Sequence, residues 1–184
     1  MKNREFNLIL LLLEGYDIHN KNHAEKTSKL GEKIGLKLGL NSSDIKLLKK
    51  GALLHDIGKL MIPHDILNKP DKIDNIEKEV ISAHPVIGAN LLEEAGYEKE
   101  VVEIAKFHHE WWDGSGYPNG LKEDEIPFMA QIISVVSAYD VMTSRKIYSQ
   151  PKNKNETCEE LKNFSGIQFS PRIIEVFLDY LDEN

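Results

Sequence analysis

At 184 residues, with 41% hydrophobic and 29% charged residues, the chain has the make-up of a soluble globular protein with one core of ordinary size. A net charge of -7 argues against non-specific binding to DNA or RNA, which needs a basic footprint, but not against a small phosphate ester held beside bound cations. The single cysteine, Cys158, excludes an internal disulfide and suits a reducing, cytoplasmic compartment; the longest apolar run, over 8–13, is too short to span a bilayer, and no signal-peptide cleavage site follows it.

Residues 4–15 read as a short helix with Phe6, Ile9, Leu10 and Leu13 on one face and Gly15 near its end, fit for packing or for touching a neighbouring subunit. After a polar stretch over 17–22, a long helix is expected to begin near Asn20 or Asn22 and run to about Gly39. Leu30, Ile34 and Leu38 form its buried stripe. His23 falls in its first turn, where a lone histidine is also a common solvated residue. His19 lies one turn earlier; if the helix extends back, the two share a face at a usable metal spacing.

Ser42-Ser43-Asp44 reads as the cap of a mostly buried helix over 45–57, which delivers His55 and Asp56 at its C-terminal end. A buried carboxylate is costly unless paired or metal-bound, and its two oxygens suit it to bridging two cations. Gly58 is expected to permit a turn. Lys59 either points back at the site or is an ordinary surface lysine. Residues 62–71, with Pro63 and Pro70, read as a loop that leaves His64 in solvent. A helix over 75–96, capped by Asp74, should break at His84-Pro85, because proline removes a backbone donor; the break lets His84 turn inward.

A helix over 97–107 leads into His108-His109-Glu110-Trp111-Trp112-Asp113-Gly114-Ser115-Gly116-Tyr117-Pro118. Neutral imidazoles are good ligands for divalent transition metals. Gly114 and Gly116 allow a tight loop that sets Tyr117 and Pro118 over whatever the histidines hold. Taken alone, the segment also fits a polar surface before a turn. Helices over 127–146, 156–163 and 171–182, with a lysine- and asparagine-rich linker at 151–155, complete the chain. No period-two strand run or internal repeat occurs, so the expected fold is an all-α bundle of roughly seven to nine helices.

Two segments together carry a resemblance. Gly51-Ala52-Leu53-Leu54-His55-Asp56-Ile57-Gly58-Lys59 and Gly116-Tyr117-Pro118, the latter continued by Asn119-Gly120-Leu121-Lys122-Glu123-Asp124-Glu125-Ile126-Pro127, resemble the HD-GYP family of metal-dependent cyclic di-GMP phosphodiesterases, a branch of the HD phosphohydrolases. The likeness runs from about His19 to Leu178. It implies an HD-domain-like helical bundle forming one domain over 1–184, with the N-terminal helix in 1–15 and the core in 16–184. It further implies hydrolysis of cyclic di-GMP to pGpG, GMP or both, with two divalent transition-metal ions (Fe, Mn or Zn).

Carried over residue by residue, the resemblance makes His23, His55, Asp56, His84, His108 and His109 metal ligands. His19 joins them at a place where some members have a glutamate ligand and many a tyrosine. Asp56 and Lys59 become catalytic, Lys59 neutralising charge on the phosphate, while Gly116, Tyr117, Pro118 and Lys146 bind substrate. Two departures stand out. Ser137 occupies the place of a usual aspartate ligand, and Lys146 that of a usual arginine. A neutral hydroxyl is a poor ligand beside a carboxylate. The first metal position is therefore expected to keep His23, His55 and Asp56, with water or His19 filling the gap. The second keeps Asp56, His84, His108 and His109. The alternatives are a catalytically impaired cyclic-dinucleotide-binding or protein-interaction module, or a helical domain with a structural metal. Family members usually carry a sensory domain, so signalling-domain partners are expected, with no nucleic acid and no membrane.

Overall fold

A computed structural model describes residues 18–69, 71–144 and 150–183, with side chains from Lys21 onward. The helix expected over 4–15 and the substrate-side Lys146 lie outside these residues. Among the described residues there are nine α-helices, two 3-10 helices and, in place of any strand, one isolated bridge between Ser165 and Phe169. The all-α expectation holds.

The first helix, α1 (Ile18–Lys37), starts earlier than the sequence suggested, so the backbones of His19 and His23 lie one turn apart on the same helix. α2 (Ser42–Leu54) is capped by Asn41 and not by the Ser42–Asp44 run. Asn41 stands just outside the helix with an extended backbone, and its side chain accepts from Ser43 N (2.8 Å) and Asp44 N (3.0 Å). α2 also ends sooner than expected. The chain leaves it at His55 and Asp56 and tightens into a 3-10 helix, Ile57–Met61.

The segment expected to be a loop contains a single turn of helix, α3 (His64–Leu67), on which His64 is exposed. α4 (Asn75–Ser82) opens on a reciprocal capping box between Asp74 and Glu77. The break at His84-Pro85 is where proline chemistry put it: α5 (His84–Glu94) carries Pro85 in its first turn, where the missing N–H costs nothing. α6 (Lys99–Phe107) follows, then the long loop with a 3-10 turn at Glu123–Glu125, then α7 (Phe128–Thr143). The expected linker over 151–155 is in part a helix start, since Asn153 and Glu156 form a second capping box for α8 (Lys154–Asn163). α9 (Pro171–Asp182) ends the described chain.

Two apolar clusters hold these helices. In the larger, Ile34 of α1, Leu48 of α2, Ile104 of α6, Ile132 and Ile133 of α7 and Phe177 of α9 are fully buried. Removing each such side chain from water contributes about 1.5–3 kcal/mol. The smaller joins Leu54, Ile57, Leu92, Val101 and Ala105, tying the end of α2 to α5 and α6. The contact that matters most for the site is between backbones. A Cβ on Gly58 would lie 2.0 Å from His84 O and 2.6 Å from Gly88 N. The need for glycine at 58 is thus close approach, not the turn that the sequence suggested, and it is this approach that sets Asp56 beside His84.

Candidate metal centre

Three buried histidines share one device. His55 Nδ1 donates to Ala52 O (2.7 Å), His84 Nδ1 to Ile81 O (2.7 Å) and His108 Nδ1 to Ala105 O (2.9 Å). Each acceptor is a carbonyl in the last turn of α2, α4 or α6, where helical carbonyls have lost their own partners. A carbonyl can only accept, so each ring keeps its proton on Nδ1 and turns an unprotonated Nε2 inward. The sequence put these histidines at helix ends; the helix ends choose their tautomer.

The inward nitrogens converge on Asp56. Its Oδ1 lies 3.2 Å from His84 Nε2 and 3.7 Å from His108 Nε2, and its Oδ2 lies 3.5 Å from His55 Nε2 and 2.6 Å from Lys59 Nζ. His84 Nε2 and His108 Nε2 face each other at 3.4 Å. These are lone pairs pointing at lone pairs. Despite the short distances, buried Asp56 Oδ1 and His55 Nε2 have no hydrogen-bond partner. Buried acceptors left this way are costly, and a cation among them removes the cost. The donor set fits a divalent transition metal. Asp56, His84, His108 and His109 form one group and His23, His55 and Asp56 a second, with the candidate ligand atoms of each within 4.8 Å of one another. Asp56 belongs to both, as a bridging carboxylate would.

Electrostatics prepare the rings for this role. Burial lowers the pKa of His55 to about 4, against the pull of Asp56, and that of His109 to about 3; burial and neighbouring imidazoles hold His108 well below its usual value. All three are neutral at pH 7, the form that binds metal. Burial pushes the Asp56 carboxyl up, but the charge beside it, that of the Lys59 ammonium 2.6 Å from Oδ2 first, holds the group well below the carboxylate range.

His23 is fixed differently. Its Nδ1 donates to Asp140 Oδ2 at 2.6 Å, and Ser137 Oγ lies 3.2 Å from its Nε2. Ser137 therefore faces the site, where it presents a hydroxyl in place of a carboxylate. The side chain of His19 is outside the described set.

The loop after His109 is braced from below. Buried Glu110 accepts from Asn119 N (2.6 Å) and Leu121 N (3.1 Å), and Tyr117 N donates to His109 O (3.1 Å). Gly114 has φ +83°, as a tight loop requires, but Gly116 answers to space: a Cβ there would lie 2.2 Å from Trp111 N. Tyr117 stacks on His109, with ring centroids 4.9 Å apart and an 18° interplanar angle. Burial raises its pKa to about 12, against a hydrogen bond with Ser82, so the hydroxyl stays protonated. Sequence reasoning overlooked Glu110 and Asp140 as site-building residues. No local pattern separates Glu110 from a solvated glutamate, and Asp140 meets His23 across 117 positions.

Comparison with known proteins supplies the family. A family model described as an HD domain matches residues 9–173. A cyclic di-GMP phosphodiesterase of Thermotoga maritima is 38% identical over 173 residues, covering 93% of this chain and 47% of that protein. The 3'3'-cGAMP-specific phosphodiesterase 2 of Vibrio cholerae is 34% identical over 163 residues, covering 88% of this chain and 31% of that protein. Among solved structures, an HDG"Y"P protein from Bdellovibrio bacteriovorus aligns with a TM-score of 0.73 at 26% identity, over 89% of this chain and 52% of that one. The HD domain of the L. monocytogenes phosphodiesterase PgpH in complex with cyclic-di-AMP aligns with a TM-score of 0.66 at 19% identity, over 93% and 92%, and so shares the fold. The chain belongs to the HD domain family, in its HD-GYP branch. It spans about half the length of the T. maritima relative, and less of the V. cholerae one.

Proposed function

We propose that this chain is a metal-dependent phosphodiesterase that opens cyclic di-GMP to pGpG, with GMP as a further product. The observation that carries the reading is the convergence of unprotonated imidazole nitrogens on the partnerless Oδ1 of Asp56. Relatives named as cyclic di-GMP and 3'3'-cGAMP phosphodiesterases support the substrate class. Two divalent ions are the reading for the metal content, of Fe, Mn or Zn, on mixed imidazole and carboxylate donors. Asp56, His84, His108 and His109 would hold one ion, and His23, His55 and Asp56 the other, His19 being a further candidate for the latter. When bound, such ions supply Lewis acidity toward a phosphoryl oxygen and activate water.

The remaining work belongs to the side chains. Lys59 brings a positive charge to within 2.6 Å of Asp56, beside the place where charge would build on the phosphate. Tyr117, flat against His109, offers a protonated hydroxyl and an aromatic edge to the dinucleotide. Gly116 and Pro118 shape the loop around it, and Lys146 is the proposed phosphate contact beyond α7. Tyr117→Ala should raise KM about tenfold while the metal count per chain stays unchanged; loss of metal in that variant would mean the loop serves the ligands and not the substrate. The cytoplasm, where cyclic di-GMP and a free Cys158 both belong, is the proposed location, and signalling-domain proteins are the proposed partners. No helix among the described residues is long and apolar enough to cross a membrane.

Ser137 favours a second reading, in which the chain binds the dinucleotide and turns it over slowly or not at all. With three protein donors and a hydroxyl 3.2 Å from His23 Nε2, the first position lacks the carboxylate that would hold its ion firmly. Ser137→Asp separates the readings. If the first position is merely weak, the variant should take up metal toward two per chain, gain thermal stability with added metal and turn over cyclic di-GMP faster. An aspartate that finds no ion would be a half-buried unpaired charge, and the same melt would then show destabilisation.

A further inference from the structure

His23 is the exception among the candidate ligands with a fixed Nδ1. His55, His84 and His108 are oriented by main-chain carbonyls at helix ends. His23 sits inside α1, where the carbonyls of the preceding turn are committed to the helix, so its ring needs an acceptor from elsewhere. Asp140 of α7 supplies it, with Oδ2 at 2.6 Å from Nδ1. The other oxygen is also committed: Asp140 Oδ1 accepts from Ser144 Oγ at 3.0 Å and lies 3.4 Å from Lys26 Nζ, which itself donates to Ser144 Oγ at 3.1 Å. The carboxylate is therefore held in one orientation by three neighbours, and Asp140 is only 7% exposed.

We infer that Asp140 is a positioning residue: it fixes His23 in the Nδ1–H tautomer, so that Nε2 is available to complete the His23, His55 and Asp56 group. This deepens the metal-site reading and rests on it. Outer partners of this kind typically account for 10–100-fold in metal affinity. The effect should be confined to one position, because in the other group His84 and His108 are oriented by backbone carbonyls, His109 packs against neighbouring rings and the shared Asp56 is held by Lys59, none of them by Asp140. A residue needed only for folding would weaken both.

The test uses wild type, Asp140→Ala and Asp140→Asn, the last of which keeps one acceptor oxygen and the shape. In metal-free protein, long-range 1H–15N correlation of the His23 ring reports which nitrogen carries the proton. Wild type should show it on Nδ1, and Asp140→Ala should shift it toward Nε2, where Ser137 can accept. Calorimetric titration with Mn2+ alone should then show the weaker equivalent lost by about tenfold or more in Asp140→Ala, by less in Asp140→Asn, and the tighter equivalent unchanged in both. An unchanged tautomer in Asp140→Ala overturns the inference, as does equal weakening of both equivalents with a lower melting temperature. Should the alanine variant fail to fold, Asp140→Asn decides alone: selective weakening of one equivalent supports the role, and no change or equal loss at both overturns it. If wild type takes up no Mn2+, the metal reading falls, while the ring tautomer still decides whether Asp140 orients His23.

Discussion

His84→Ala should remove the tighter metal, abolish turnover of cyclic di-GMP and erase the gain in melting temperature that added metal gives the wild type. His84 is 1% exposed, and its Nε2 lies 3.2 Å from Asp56 Oδ1 and 3.4 Å from His108 Nε2. Its loss leaves three donors in the Asp56, His84, His108 and His109 group and a cavity beside a buried carboxylate. Metal affinity at this position should fall at least about a hundredfold, the upper end of what even outer-shell partners cost. The metal-free fold should lose about 2–3 kcal/mol from the cavity and the broken bond to Ile81 O. Because a ligand stabilises only in proportion to its binding, the metal-induced shift in melting temperature should shrink with the affinity. An undiminished shift in the variant would take His84 out of the site.

Gly58→Ala should be nearly as damaging, though residue 58 offers no ligand. The added methyl would meet backbone, His84 O at 2.0 Å and Gly88 N at 2.6 Å, so neither neighbour can swing aside as a side chain would. The 3-10 helix must lift off α5, at a cost of about 3 kcal/mol or more. That motion separates Asp56 from His84, so metal binding and turnover should fall together with stability. Gly39→Ala is the control. Gly39 has φ +84° but open space around its Cβ, so the substitution should cost about 1–2 kcal/mol of local strain and leave metal binding intact. If Gly58→Ala binds metal as wild type does, the close approach of the two backbones is not what places Asp56.

Much of this was legible in the sequence, for physical reasons that differ from element to element. Helical periodicity located α1, α6, α7 and α9, and the proline after His84 located the break between α4 and α5, because a missing N–H acts locally. Asn41 was missed as a cap because three capping residues follow it in a row, and only the backbone angles choose among them. The Asn153 to Glu156 box was present in the sequence but hidden by a composition that resembled a linker. The gathering of His23, His55, Asp56, His84, His108 and His109 was legible because histidine-rich motifs are rare and the resemblance aligned them. The tautomers were not, since they depend on which carbonyls a helix end leaves free. Nor was the role of Asp140, whose partner on α1 is distant in sequence, or that of Glu110, whose acceptor work depends on the path of the loop above it.

The most direct measurement is turnover of cyclic di-GMP by protein loaded with Mn2+ or Fe2+ without oxygen, with the same sample assayed after chelation and after metal is returned. The account predicts release of pGpG, loss of activity on chelation and recovery on reloading, with at least one firmly held ion per chain. Metal-loaded protein that binds cyclic di-GMP and leaves it intact would contradict it, and would make this chain a receptor for the dinucleotide and not its hydrolase.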